Sequence, residues 1–187
     1  MEVNNFFIDY FMGGNLFKNY NIKTERINIE KYNIVLEKIL NTIKQHDFCE
    51  VEPTKHYKNK KNFGDIDILI CSNNNNELYK FIFENFSKTI VCNGNVYSFV
   101  FDDVQIDFVL ISKKNWEISK VYFSYDPLGN LMGVIYFNLN FLYGDKGLFY
   151  KYKSSLNNQI FKIKISADPK KIFDFGDPIS HYLTSAA

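Results

Sequence analysis

Three aspartates stand where a carboxylate is hard to keep without a partner. Asp65 and Asp67 are two residues apart at the head of the apolar run Gly64-Asp65-Ile66-Asp67-Ile68-Leu69-Ile70. In an extended strand residues i and i+2 share a face, so the two carboxylates project side by side while Ile66, Ile68 and Ile70 project the other way. Asp107 interrupts a second apolar run, flanked by Ile106, Phe108, Val109 and Leu110. Neighbouring carboxylates repel each other and are costly to bury unpaired. Hard divalent cations prefer oxygen ligands, so a metal is the usual way to make such a cluster favourable. The chemistry this suits is phosphoryl transfer.

The most basic stretch of the chain lies directly upstream. Residues 54–63 read Thr-Lys-His-Tyr-Lys-Asn-Lys-Lys-Asn-Phe, with Lys55, Lys58, Lys60 and Lys61. Anions and carboxylate-bound cations would meet there, which makes Thr54, Lys55, Lys58, Lys61 and Gly64 candidates for holding a triphosphate. A solvated loop accounts for the lysines almost equally well.

The elements that must position these residues are legible in part. Ile29, Tyr32, Val35, Leu36, Ile39, Leu40 and Ile43 recur at three- and four-residue spacings, which predicts an amphipathic helix over 29–46. Pro53 ends that region. A strand over 64–70, a loop at 73–76, a helix over 77–86, a short strand over 89–92 and a turn at 93–95 follow. Residues 96–111 predict a β-hairpin turning at Asp102-Asp103, with Asp107 in its second strand. Beyond it, helices are expected over 113–123 and 127–139, a turn over 144–147, a second hairpin from 148–152 and 159–165, and a last helix from Asp168-Pro169 to Phe173. Gly129 and Gly133 fall on one helix face, where they permit close packing. Gly13-Gly14 reads as a turn, and the tail 176–187 carries little pattern.

With 187 residues and 46% hydrophobic content, the chain can bury a core and is expected to be one domain, 1–187: a catalytic core over 29–111, then helices and a hairpin over 112–175. The formal charge of +1 gives no global pull towards nucleic acid. Cys49, Cys71 and Cys92 have no metal-ligand spacing and read as small core residues in a reducing compartment. His46, His56 and His181 form no recognisable ligand set. No basic, apolar leader and no membrane-length apolar run is present, so a cytoplasmic protein (host-cell cytoplasm if viral) with no membrane partner is expected.

Basic turn, Asp-x-Asp strand, helix, and a hairpin whose second strand carries a third Asp: this order resembles the polymerase-beta-like nucleotidyltransferase superfamily, on Gly64-Asp65-Ile66-Asp67 and Ile106-Asp107-Phe108. Phe11-Met12-Gly13-Gly14-Asn15, Tyr122-Phe123-Ser124-Tyr125, Leu128-Gly129-Asn130-Leu131-Met132-Gly133 and Tyr143-Gly144-Asp145-Lys146-Gly147-Leu148 are similar to uncharacterised nucleotidyltransferases of large DNA viruses and phages. The resemblance implies an α+β fold with a nucleotidyltransferase-type mixed sheet carrying a carboxylate triad. It implies two Mg2+ (or Mn2+) ions bridged by Asp65 and Asp67, with Asp107 completing the site and activating the acceptor. It further implies an NTP as donor, a hydroxyl as acceptor (a nucleic acid 3′ end or tRNA among the options) and pyrophosphate as product.

Three departures accompany it. Where the family sets a Gly-Ser pair at a helix N-terminus, this chain reads Pro53-Thr54-Lys55: Thr54 offers a hydroxyl, but Pro53 offers neither an N–H nor the freedom of Gly. The helix after Gly133 reads Val134-Ile135-Tyr136, with no basic residue where the subgroup would place an Arg. The subgroup continues past the Asp168-Pro169 helix, so a C-terminal region is expected to be missing or degenerate. These motivate an alternative, a catalytically silent binding module or partner subunit. A third reading, a nucleic-acid-binding module using Lys55 to Lys61, is disfavoured as the sole function by the near-neutral charge.

Overall fold

The computed structural model describes residues 16–72, 74–155 and 157–175. The Phe11–Asn15 motif with its Gly13-Gly14 turn, His181 and the tail 176–187 lie outside the described residues. The chain folds as two compact units, with the boundary between Ser112 and Lys113.

The first unit is built on a five-stranded mixed sheet. Its elements run α1 (Ile29–Ile43), β1 (Glu50–Pro53), β2 (Asp65–Cys71), α2 (Asn75–Asn85), β3 (Ile90–Asn93), β4 (Val96–Phe101) and β5 (Val104–Ile111), and the strand order is β1-β2-β5-β4-β3. β2 and β5 run parallel and the other pairs are antiparallel. A parallel neighbour needs a crossover, and α2 with the β3–β4 hairpin supplies the chain between β2 and β5.

Local chemistry sets these boundaries. Asn28 caps α1 by accepting from the Lys31 N–H at 3.0 Å, and Glu30 sits favourably in the first turn. Asn74 caps α2 through the N–H groups of Asn76 and Glu77, so the helix starts two residues before the expected Glu77. Asp102 and Asp103 turn the β4–β5 hairpin at φ +51° and +63°, a backbone that short polar residues tolerate. Ile66, Ile68, Ile70, Tyr97, Phe99, Ile106 and Phe108 form one sheet face, and Tyr32, Val35, Ile39, Leu78, Phe81 and Ile82 of the two helices pack on it.

One strand here was not expected. β1 pairs with β2 from Glu50↔Cys71 to Pro53↔Ile68. Pro53 does not break the element but ends it on an edge strand, a position where its missing N–H costs no ladder bond.

The second unit comprises α3 (Trp116–Phe123), α4 (Leu128–Asn138), β6 (Phe141–Gly144), β7 (Gly147–Lys153), β8 (Ile160–Ser166) and a short helix over 169–175. A single 3-10 turn over Lys113–Asn115 precedes α3, so the helix expected over 113–123 has two geometries. The expected hairpin is part of a three-stranded antiparallel sheet in the order β6-β7-β8. β6, which falls between the helix expected over 127–139 and the turn expected over 144–147, contributes the third strand. Tyr136, Tyr143, Leu148 and Ile172 are the centre of this unit's core, and the Tyr136 hydroxyl donates to the Ile172 carbonyl at 2.9 Å. A Cβ on Gly129 would lie 2.1 Å from the Tyr122 carbonyl oxygen, so close α3–α4 packing requires glycine there. At Gly133 a Cβ would make ordinary contact, 3.7 Å from the Tyr143 carbonyl.

No helix among the described residues is long and apolar enough to cross a membrane. The cysteine expectation is corrected: only Cys71 is buried, whereas Cys49 and Cys92 are exposed. Cys49 precedes β1, and Cys92 is on the edge strand β3, opposite Tyr97.

Candidate active site

The carboxylates come together through register. β2 and β5 are adjacent and parallel, and their pairing sets Asp65 opposite Gln105 and Asp67 opposite Asp107. Paired residues on neighbouring strands share a face, so Asp65, Asp67, Gln105 and Asp107 all project from the side opposite the α1–α2 layer. β4 adds Ser98, the register partner of Asp107. With β5 at the centre of the sheet, Asp107 is on an interior strand and not at a solvated edge.

Asp107 is the most constrained of the three. The Gln105 amide donates to both its oxygens, Nε2 to Oδ1 at 3.2 Å and to Oδ2 at 3.1 Å, while Gln105 Oε1 accepts from the Leu16 N–H at 3.3 Å. Burial, and then the negative charge of Asp65, push the Asp107 carboxyl up to about 6, with hydrogen bonds from Ser98 and Gln105 acting in the opposite direction. Tyr32, buried in α1 against Phe63 at 4.3 Å between ring centroids, feels the same field. Its phenol is raised to about 12 by burial first and then by the charges of Asp67 and Asp65.

The upstream loop is tied down at both ends. The Thr54 N–H donates to the Asp67 carbonyl at 3.0 Å. At the other end Phe63 and Ile27 exchange backbone bonds of 2.8 and 2.9 Å, and Gly64 is buried just before Asp65. The chain between leaves at the level of Asp67 and returns at Asp65, carrying Lys55, Lys58 and Lys61, all exposed. Lys60 instead lies over the Phe63 ring, 5.1 Å from its centroid. Pro53-Thr54-Lys55 is thus a strand end followed by irregular backbone, and no helix starts there.

The donor set suits a hard cation. It offers carboxylate oxygens only, and one carboxyl is held above its ordinary value by burial and a like charge, a strain that a bound cation would relieve. As they stand, no three His, Cys, Asp or Glu side chains among the described residues are gathered closely enough to hold an ion. The three carboxylates share a face without closing on a common point.

No protein-family model matches the chain, and no curated protein matches it. The chemistry therefore rests on the residues alone.

Three contributors carry no motif in the sequence. Gln105 was accessible: it precedes Asp107 by two and must share its face. Ser98 follows from the turn, because a hairpin closed at Asp102-Asp103 pairs Phe101 with Val104 and so Ser98 with Asp107. Tyr32 gave no signal beyond a core position on α1, since only tertiary packing brings it near Asp65 and Asp67. His46 and His56 engage in ring contacts, with Phe48 at 4.4 Å and Phe63 at 4.8 Å.

Proposed function

We propose that the chain is a metal-dependent nucleotidyltransferase, moving a nucleoside monophosphate from an NTP to an acceptor hydroxyl with release of pyrophosphate. One observation carries the reading: Asp67 and Asp107 are register partners on adjacent parallel strands, with Asp65 on the same face. Asp65, Asp67 and Asp107 are the residues that would hold two Mg2+ or Mn2+ ions, which supply charge stabilisation at the attacking and leaving oxygens. Lys55, Lys58 and Lys61 line the loop spanning the pair and would hold the triphosphate as point charges. Asp107, with both oxygens fixed by Gln105, would complete the site and hold the ion at the acceptor hydroxyl, which lowers that hydroxyl's pKa and so activates it.

The test is transfer of α-labelled NTP to a panel of acceptors, including nucleic acid 3′ ends and tRNA, with Mg2+ or Mn2+ present. Asp65→Asn and Asp107→Asn should each abolish transfer while leaving the far-UV circular dichroism unchanged. Normal turnover by either variant overturns the reading.

A second reading, a catalytically silent binding module or partner subunit, is favoured by the backbone upstream. Pro53 has no N–H and that of Thr54 is engaged by the Asp67 carbonyl, so neither can cradle a phosphate. Metal-dependent NTP binding without transfer to any acceptor would support it.

A further inference from the structure

The β7–β8 hairpin of the second unit gathers charge in a way that folding alone does not reward. Its register pairs Phe149 with Lys164, Lys151 with Lys162 and Lys153 with Ile160. Lys151, Lys153, Lys162 and Lys164 therefore share one face, and Lys151 is directly opposite Lys162. Like charges directly opposite across a strand pair are destabilising. No Asp or Glu occurs between Gly147 and Ser166 to offset them. Lys153, Lys162 and Lys164 are exposed and Lys151 is half-buried.

An aromatic ring belongs to the same patch. Lys151 Nζ lies 4.1 Å from the centroid of the Phe137 ring, at the end of α4, and Phe137 is 55% exposed. Lys164 Nζ lies 5.7 Å from the Phe149 ring. Ile160, opposite Lys153, shares the lysine face, whereas Tyr150, Tyr152, Phe161 and Ile163 project from the reverse face.

We infer that this lysine face, with Phe137 at its margin, is a binding surface for single-stranded nucleic acid. Cations spaced along two strands answer a phosphate backbone by charge complementarity, and an exposed ring beside them offers a platform on which an unpaired base stacks. A lipid surface fits less well. Bilayer insertion needs apolar side chains beside the cations, and here most point the opposite way. The inference goes beyond nucleotidyl transfer and does not depend on it, since every residue it uses lies between Phe137 and Lys164.

The test is fluorescence anisotropy of the full chain with a labelled single-stranded oligonucleotide of about 20 nucleotides, titrated across NaCl concentrations without divalent metal. If all four lysines engage phosphates, log K against log salt should have a slope of about −2.8, at about −0.7 per contact. Replacing all four by Gln should weaken binding at least tenfold and flatten the slope, and replacing all four by Arg should keep both. Phe137→Ala should weaken binding several-fold with the slope unchanged, the signature of a lost stacking contact. Lys55→Gln with Lys58→Gln and Lys61→Gln serves as the control and should retain the hairpin's contribution. Two results overturn the inference: unchanged binding in the folded four-Gln variant, or binding to phosphatidylserine vesicles with none to the oligonucleotide.

Discussion

The two sheets place their charges by opposite strategies. In the first unit the carboxylates sit on β2 and β5, interior strands whose reverse face is closed by α1 and α2. In the second the lysines sit on β7 and β8, and β8 is an edge strand exposed along nearly its whole length. An interior strand fixes a side chain by ladder bonds on both sides and by packing beneath it, which suits groups that must hold a geometry. An edge strand leaves long cationic side chains free to follow a partner, which suits a surface that reads charge and not shape. The acidic cluster is costly within the fold, as the raised Asp107 carboxyl indicates, whereas the basic one is costly only in mutual repulsion.

The sharpest way to break this comparison is to remove charge from the interior strands. Asp67→Asn should reduce nucleotidyl transfer by on the order of a thousandfold or more, because a lost transition-state contact of this kind costs roughly 10²–10³ and the site has few groups to share the load. The measurement is initial rate with α-labelled NTP, and a reduction under tenfold would contradict a catalytic role.

Next comes the layer beneath. Phe108 is fully buried on the helix-covered face, so Phe108→Ala should cost about 3–5 kcal/mol in urea unfolding. An equally large loss from Ile163→Ala, on the exposed face of β8, would erase the distinction between the two sheets. Ile163 is 55% exposed, and its truncation should change stability by about 0.5 kcal/mol or less.

A pH series tests the strain itself. The native Asp107 carboxyl titrates near 6, above its ordinary 3.8, so the native state holds this proton more tightly than the unfolded chain does. Below about pH 4 both states are protonated and no penalty exists. Between about 4 and 6 the native state binds more protons, so this group's contribution to stability falls as pH rises, by on the order of 2–3 kcal/mol in all. Above 6 the penalty is constant. Asp107→Asn should flatten that portion of the stability profile and raise Tm at pH 7. Adding Mg2+ at pH 7 should raise the Tm of the unaltered chain and have less effect on the variant. A profile identical in both proteins would show that Asp107 carries no strain.

The smallest effect probes the second unit's packing. Gly129→Ala places a methyl 2.1 Å from the Tyr122 carbonyl and should cost about 1–3 kcal/mol. Gly133→Ala, with ordinary contact distances, should be neutral within about 0.5 kcal/mol or slightly stabilising. Equal losses at both positions would mean that the small-residue pair acts as a unit.

Much of this architecture is local and was therefore legible. The period of Ile29–Ile43, the alternation of β2 and the Asp102-Asp103 turn each depend on a few consecutive residues. A period-2 strand fixed that Asp65 and Asp67 share a face, and the hairpin turn fixed that Ser98 faces Asp107. What the chain order left open was the pairing of β2 with β5, about forty residues apart, and its parallel register. A shift of one residue would send Asp107 to the helix-covered face. β1 and β6 were missed, and each exists through its pairing with a neighbouring strand. Tyr32 and the directly opposed Lys151 and Lys162 belong to the same class. Sequence alone determined which residues carry charge and which neighbours share a face. Only tertiary structure decided which charges meet, because register and packing join residues that no local spacing relates.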